Sequence, residues 1–168
     1  AFPDQGMNLY SPGADSGTFD YFSEEVNGTL DQFRNDTSVT FSEDDNVLVT
    51  GVEAQKGALG YFGFAYYAEN AEKLTAVAVD RDIDKAGMPL PAAQRSGCVV
   101  PSEETVKGNS YPLSRPLFMY VSNDALKKAQ VRGYMEFVLT NPELVADVGY
   151  VALDQALYDQ ALAKLRAT

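Results

Sequence analysis

The sequence predicts an α/β fold, because short apolar segments typical of strands alternate with segments whose apolar residues recur at helical spacing. The segment that follows the last predicted strand, residues 123–168, carries helical patterns only. Ten Tyr and nine Phe supply enough aromatic surface to fill an interface between a sheet and its helices. At 168 residues, the chain suits about one domain with a sizeable core.

The first predicted strand covers residues 7–11 and ends at the turn-forming pair Pro12-Gly13. Residues 18–33 are predicted to be helical, with Asn27-Gly28 as the point where the helix would break. The apolar residues of this segment share one helical face: Phe19, Phe22, Val26, Leu30 and Phe33.

A second strand is predicted at residues 37–41, followed by a helix over 42–55. Ser42 or Asp44 can cap that helix, and its acidic first turn suits the positive end of the helix dipole. Residues 57–74 begin as a glycine-rich strand and become helical near Ala65.

The remaining elements are predicted from composition and spacing. Proline precedes and glycine follows a short helix within 101–108, and Gly149 is the expected break in the last helical segment. In order, the elements are a strand at 74–81, an exposed loop at 82–101, the helix at 101–108, a buried strand at 111–122, and helical segments at 123–142 and 143–165.

Composition excludes several classes of function. The formal net charge of −11 argues against nucleic acid and against anionic membrane surfaces, both of which attract basic proteins. The chain has no histidine, so the commonest general base and the commonest zinc ligand are both missing, and we predict no catalytic site, metal or cofactor.

A single cysteine, Cys98, excludes an internal disulfide; it is either a small buried residue or has a partner outside this chain. No apolar run has the length of about 18 to 20 residues needed to span a bilayer.

The stretch SPGADSGTF, residues 11–19, places Ser16, Gly17 and Thr18 where the first strand gives way to a helix. The first amides of a helix have no internal partner, and the helix dipole adds positive potential there. Glycine allows close approach to a ligand, and the two hydroxyls add donors, so the tripeptide predicts an oxyanion site. The alternative is that Ser16 is an ordinary helix cap that binds nothing.

Four segments carry a resemblance to a known family: LYSPGADSGTFDYFSE, SEDDNVLVTGV, GALGYFGFAYYAEN and VPSEETVKGNSYPLSRPLFMYV. In this order they resemble the periplasmic phosphate-binding proteins of ABC importers, of the PstS type, over about residues 7–160. The resemblance implies a type II periplasmic-binding-protein fold, in which the anion lies between two α/β lobes, each a mixed sheet flanked by helices. It further implies a non-enzymatic receptor, exported to the periplasm or cell surface, whose partners are inorganic phosphate and ABC permease subunits.

The same resemblance implies which residues bind phosphate. In the family, a Ser-Gly-Thr at a helix start donates hydrogen bonds to the anion, which maps onto Ser16, Gly17 and Thr18. Many members carry an arginine four residues before that serine, where this chain has Pro12. Arg115 is the first candidate to replace it, and Arg34 is the second.

Members of that family are roughly twice as long as this chain, so the chain is expected to be a C-terminal portion. Residues 1–108 would form the second, ligand-binding lobe. Residues 109–168 would form a crossover strand and C-terminal helices that complete the first lobe, with the missing N-terminal half as a partner. Two alternatives stay open: a receptor for sulfate, molybdate or a phosphonate, and a structural or interaction module that binds no anion.

Overall fold

The computed structural model describes residues 6–82, 88–95 and 97–168. Its N-terminal part contains a three-stranded parallel sheet. The strands are β1 (Leu9–Pro12), β2 (Val39–Ser42) and β3 (Leu59–Gly60), with β1 in the centre. Leu9 pairs with Val39 on one side and with Leu59 on the other. The α/β prediction is confirmed. Within the described ranges the sheet is parallel rather than mixed, because each connection between its strands crosses over through helical segments.

Helix α1 (Gly17–Phe22) follows β1 directly and continues as a π-helical segment over Ser23–Asn27. The helical segment ends at Gly28, whose φ of 76° lies in the left-handed region that glycine adopts without strain. The chain then folds back, so that the Phe33 ring packs edge-on against Phe19 with 5.0 Å between centroids. The predicted break at Asn27-Gly28 is confirmed, and Phe33 lies beyond the helix.

Helix α2 (Asp45–Ala54) packs against β1 and closes the small core. Its N-cap is Asp44, whose carboxylate accepts the amide of Asn46 at 2.9 Å. Leu48 is completely buried, and Gly51 lies against the ring of Tyr10, where a side chain would collide. The acidic first turn and its cap agree with the sequence prediction.

Three short helical pieces follow, namely α3 (Phe64–Glu69), a 3₁₀ turn (Ala92–Gln94) and α4 (Glu103–Lys107). The predicted strand at 74–81 is wrong: among the described residues of that segment, only Val79 makes a bridge, to Val99. Cys98, next to that bridge, is exposed rather than buried.

The C-terminal part is helical, as predicted: α5 (Asn123–Leu126), α6 (Ala129–Thr140), α7 (Glu143–Asp147) and α8 (Gln155–Ala167). Helices α6 and α8 pack together, and the Arg132 guanidinium donates to the carbonyl of Leu165 at 3.0 Å. Gly149, with a φ of 87°, separates α7 from α8 at the predicted break. Among the described residues, none of the helices has both the length and the apolar character required to cross a bilayer.

The buried strand predicted at 111–122, which includes the crossover strand, is not formed in the described structure. Residues 115–120 are exposed, and Tyr120 reaches 91% exposure. A strand requires a neighbour that satisfies its backbone hydrogen bonds, and no described segment pairs with this one. The apolar sequence therefore lies uncovered: Leu117, Phe118, Met119 and Tyr120.

Candidate functional site

Ser16 caps helix α1. Its backbone is extended, with φ −91° and ψ 125°, and its hydroxyl oxygen accepts the amide of Thr18 at 3.2 Å. The Ser16 amide itself donates to the carbonyl of Gly13 at 3.0 Å. Ser16 thus makes the ordinary cap contact through its hydroxyl oxygen. This contact does not use the hydroxyl hydrogen, which can be donated to a ligand.

The turn also presents donors that are not used. Within the described part of the chain, the amides of Gly17 and Phe19 and the hydroxyl of Thr18 have no hydrogen-bond partner. Gly17 is exposed, and the helical backbone behind it runs for six α-helical and five π-helical residues. These groups form a small donor cluster in the positive potential of a helix start.

Arg115 lies beside this cluster. Its Nη2 atom is 3.5 Å from the position that a Cβ on Gly17 would occupy. The side chain is exposed, and among the described residues no carboxylate lies within 4.0 Å of it. The structure therefore brings the first arginine candidate to the Ser-Gly-Thr turn with its charge unpaired.

Tyr21 holds the segment that carries Arg115. The guanidinium carbon of Arg115 lies 4.8 Å from the centre of the Tyr21 ring, and the Tyr21 hydroxyl donates to the carbonyl of Ser114 at 3.0 Å. Burial, followed by the charge of Glu25, raises the pKa of Tyr21, so its hydroxyl stays protonated at neutral pH. The sequence prediction missed Tyr21. Its position four residues after Gly17, on the same helical face, is the signal that could have identified it.

Arg34, the second arginine candidate, is engaged elsewhere. Its Nε atom donates to the Asp36 carboxylate at 2.6 Å, and both side chains are more than half exposed. Hydrogen bonds from the Ser38 hydroxyl first, and from Arg34 second, lower the pKa of Asp36 to about 2. Within the described residues, Arg34 makes no contact with Ser16, Gly17 or Thr18, and its role in anion binding stays a prediction.

The loop before the cap is held by an acidic side chain. The Glu43 carboxylate accepts the amide of Asp15 at 3.3 Å and lies against Gly13, so a side chain at that position would have to displace it. Asp15 is exposed and carries its charge outward. One donor of the loop is therefore satisfied internally, while the donors of the next turn are left open.

An open cavity of about 1970 Å³ is lined both by residues of this turn and by residues of the C-terminal helices. Its lining is mostly apolar and includes Thr18, Tyr21 and Arg115 as well as Phe118, Tyr120 and Phe137. Within the described ranges, no group of three or more Asp, Glu or Cys side chains is arranged to hold a metal ion.

Comparison with known proteins identifies the family and the fold. Residues 1–142 match the model of a family described as a PBP superfamily domain. The chain is 41% identical to Protein SphX of Synechococcus elongatus, over 99% of this chain and 46% of that protein. It is 35% identical to the phosphate-binding protein PstS of Staphylococcus haemolyticus, over 99% of this chain and 48% of that protein.

Among solved structures, the fold is similar to a possible phosphate-binding protein from Planctomyces limnophilus. The TM-score is 0.78 at 37% identity, over 99% of this chain and 55% of that one. The chain spans about half the length of the curated relatives it matches. The predicted fold and family are confirmed by these matches, and the chain belongs to the PBP superfamily.

Proposed function

We propose that this chain provides one side of the binding site of a non-enzymatic receptor for inorganic phosphate. The observation that carries the proposal is the Arg115 guanidinium, which has no acidic partner among the described residues and lies beside Gly17 at a helix start where the amides of Gly17 and Phe19 are unbonded within the same part of the chain. The anion is placed between this guanidinium and the turn formed by Ser16, Gly17 and Thr18.

The chemistry of these groups suits a tetrahedral oxyanion. Amides and hydroxyls donate to phosphate oxygens without adding charge, and a guanidinium binds phosphate through charge-assisted, often bidentate hydrogen bonds. A net charge of −11 does not oppose such a site, because the potential at the turn is set by the nearby donors and by Arg115.

The relatives favour phosphate over other oxyanions. PstS of Staphylococcus haemolyticus, 35% identical over nearly the whole chain, is named a phosphate-binding protein. The similar structure from Planctomyces limnophilus is described as a possible phosphate-binding protein. Both descriptions apply to proteins about twice as long, so we extend them to the receptor that contains this chain.

The rest of the site is assigned to another part of the same receptor. We place residues 1–108 in the second lobe and residues 109–168 in the part that completes the first lobe. Two features support this division: the apolar residues 117–120 are exposed, and the cavity that they line together with Thr18 is open. The N-terminal half of the receptor would cover this apolar surface and supply the facing donors and acceptors.

Closure of the two lobes around the anion would give a tight complex and a shape that membrane permease subunits can recognise. We therefore place the receptor in an ABC-type phosphate import system, at the periplasmic or cell-surface side of the membrane.

The test is isothermal titration of the full-length receptor with inorganic phosphate. Thr18→Val keeps the shape of the side chain and removes its hydroxyl, so affinity should fall by about tenfold with little change in thermal stability. Ser16→Ala should lower affinity as well and also cost about 1 kcal/mol of stability through the lost cap. Thr50→Val on the exposed face of α2 is the matched control. Unchanged affinity in both site variants would reject the assignment.

Selectivity is measured by competition with sulfate, molybdate and a phosphonate. Hydrogen phosphate carries a proton that an acceptor in the complete cleft can bind, whereas sulfate carries none at neutral pH. Displacement of phosphate by sulfate at similar concentrations would show that the receptor is a general oxyanion receptor instead.

A further inference from the structure

Tyr21 makes two contacts with the segment that carries Arg115. The face of its ring lies against the guanidinium, with 4.8 Å between the ring centre and the guanidinium carbon. Its hydroxyl donates to the carbonyl oxygen of Ser114 at 3.0 Å, across 93 positions in the sequence. A single side chain therefore contacts both the backbone of this segment and the charged end of Arg115.

The backbone around Arg115 is already restricted. Ser114 donates its amide to the carbonyl of Tyr111 at 2.9 Å, which closes a turn. Pro116 follows Arg115 and disfavours helical dihedrals at the residue before it. Between this turn and Pro116, the direction of the long Arg115 side chain is the main freedom left, and the Tyr21 ring limits it.

An aromatic ring and a carboxylate can each orient an arginine side chain, but they differ in how many of its N–H donors they occupy. A carboxylate would take two of the five N–H donors and cancel the charge. A ring face attracts the cation through its quadrupole and leaves the donors at the edge of the guanidinium free. Among the described residues Arg115 has no acidic partner, so its donors stay available beside Gly17.

The charged groups around Tyr21 fit this arrangement. Glu25 lies on the same helical segment and pairs with Arg81 at 3.3 Å, so this acid is drawn toward a different cation. Burial first and the charge of Glu25 second raise the pKa of Tyr21, whereas the positive charges of Arg81 and Arg115 lower it by less.

We propose that Tyr21 is a positioning residue of the anion site, whose ring and hydroxyl hold the Arg115 guanidinium over the start of α1. The proposal rests on the function proposed above and adds a residue that need not touch the anion itself. It predicts that Tyr21 affects phosphate affinity only through Arg115.

The test is a double-mutant cycle on the full-length receptor, with inorganic phosphate as the titrant. Tyr21→Leu removes the ring and the hydroxyl, and we expect affinity to fall about fivefold. Tyr21→Phe keeps the ring and should lower affinity about twofold, since only the bond to Ser114 is lost. Arg115→Gln should lower affinity by about tenfold or more. Tyr67→Leu, at a half-buried tyrosine next to Phe64, is the matched control for loss of aromatic packing.

The decisive comparison is Tyr21→Leu in the Arg115→Gln background, where the substitution should have almost no further effect on affinity. An equal loss in both backgrounds, or no loss in the wild-type background, would overturn the positioning role. If Tyr21→Leu does not fold, the same cycle is run with Tyr21→Phe, whose smaller effect should also vanish in the Arg115→Gln background.

The two proposals fail in different ways. A receptor that binds phosphate with affinity unchanged by Arg115→Gln would overturn the role of Tyr21 and leave a phosphate receptor that lacks this arginine contact. Absence of phosphate binding in the wild-type receptor would reject the proposed function, and the positioning role with it.

Discussion

Arg115 and Gly17 meet at the start of helix α1, with the Arg115 Nη2 atom 3.5 Å from the place where a Cβ on Gly17 would lie. This distance is an ordinary van der Waals contact, so the guanidinium lies beside Gly17 without excluding a small side chain. Within the described residues, the unbonded amide of Gly17 and the unpaired charge of Arg115 thus lie close together, on two exposed residues.

A proline substitution at Gly17 should remove the backbone amide of this residue with little disturbance of the helix. Gly17→Pro eliminates the N–H at the first helical position, where proline is favoured, and Ser16 already has the extended backbone that must precede a proline. We expect phosphate affinity, measured by titration, to fall about tenfold while the melting temperature changes little.

Gly17→Ala is the control, since it keeps the amide and adds a methyl group at contact distance from Arg115. Its affinity should remain much closer to that of the wild type. Equal losses for alanine and proline would mean that bulk at this position, rather than the amide, determines binding.

The environment of Asp36 predicts a specific pH dependence. Its folded pKa of about 2 lies below the usual 3.8, so its charged form contributes stability above pH 3.8, which is lost as the pH falls toward 2. Ser38→Ala should raise the pKa of this carboxyl more than Arg34→Gln does, because the Ser38 hydroxyl is the larger cause. Carbon-detected NMR titration of the aspartate carboxyls measures both shifts. A larger effect from Arg34→Gln would contradict the structure.

Gly51 is expected to be essential for packing between α2 and β1. A Cβ at this position collides with the Tyr10 ring, so Gly51→Ala should destabilise the protein by about 1–3 kcal/mol, measured by denaturant unfolding. Thr50→Ala, next to it on the exposed side of the same helix, should change stability by less than about 0.5 kcal/mol. A neutral Gly51→Ala would show that α2 lies farther from the sheet.

The exposed apolar segment predicts a difference between the chain and its complete receptor. Tyr120 is 91% exposed here, so Tyr120→Asp would be nearly neutral if this surface faced solvent in the receptor. We expect it to destabilise the full-length receptor by about 2 kcal/mol or more, because burying an unpaired carboxylate is costly. Val47→Asp, at an exposed apolar residue of α2 outside the cavity, is the control. Equal, small effects of the two substitutions would reject the proposed covering of this surface.

Local features of the fold could be predicted from the sequence because their causes lie within a few residues. The Asp44 cap and the breaks at Gly28 and Gly149 each depend on neighbouring backbone geometry. The strand predicted at 111–122 was wrong because strand formation depends on a pairing partner that a single segment does not contain.

The candidate site likewise has a part that could be predicted from the sequence and a part that could not. Ser16, Gly17 and Thr18 form a contiguous motif at a predictable helix start, and the structure places them there. Arg115 reaches them through the turn at 111–114 that precedes it and through the Tyr21 contacts, which join distant parts of the chain. The sequence shows that Tyr21 lies one helical turn after Gly17. It does not show that Arg115 lies next to both residues.

The most direct test is NMR of the full-length receptor during titration with inorganic phosphate, observing backbone amides and the arginine Nε–H groups. We predict saturable shifts at the amides of Gly17 and Phe19 and at Nε–H of Arg115, with a common dissociation constant. Saturable shifts confined to other residues, with these three groups unchanged, would contradict the placement of the anion between Arg115 and the start of α1.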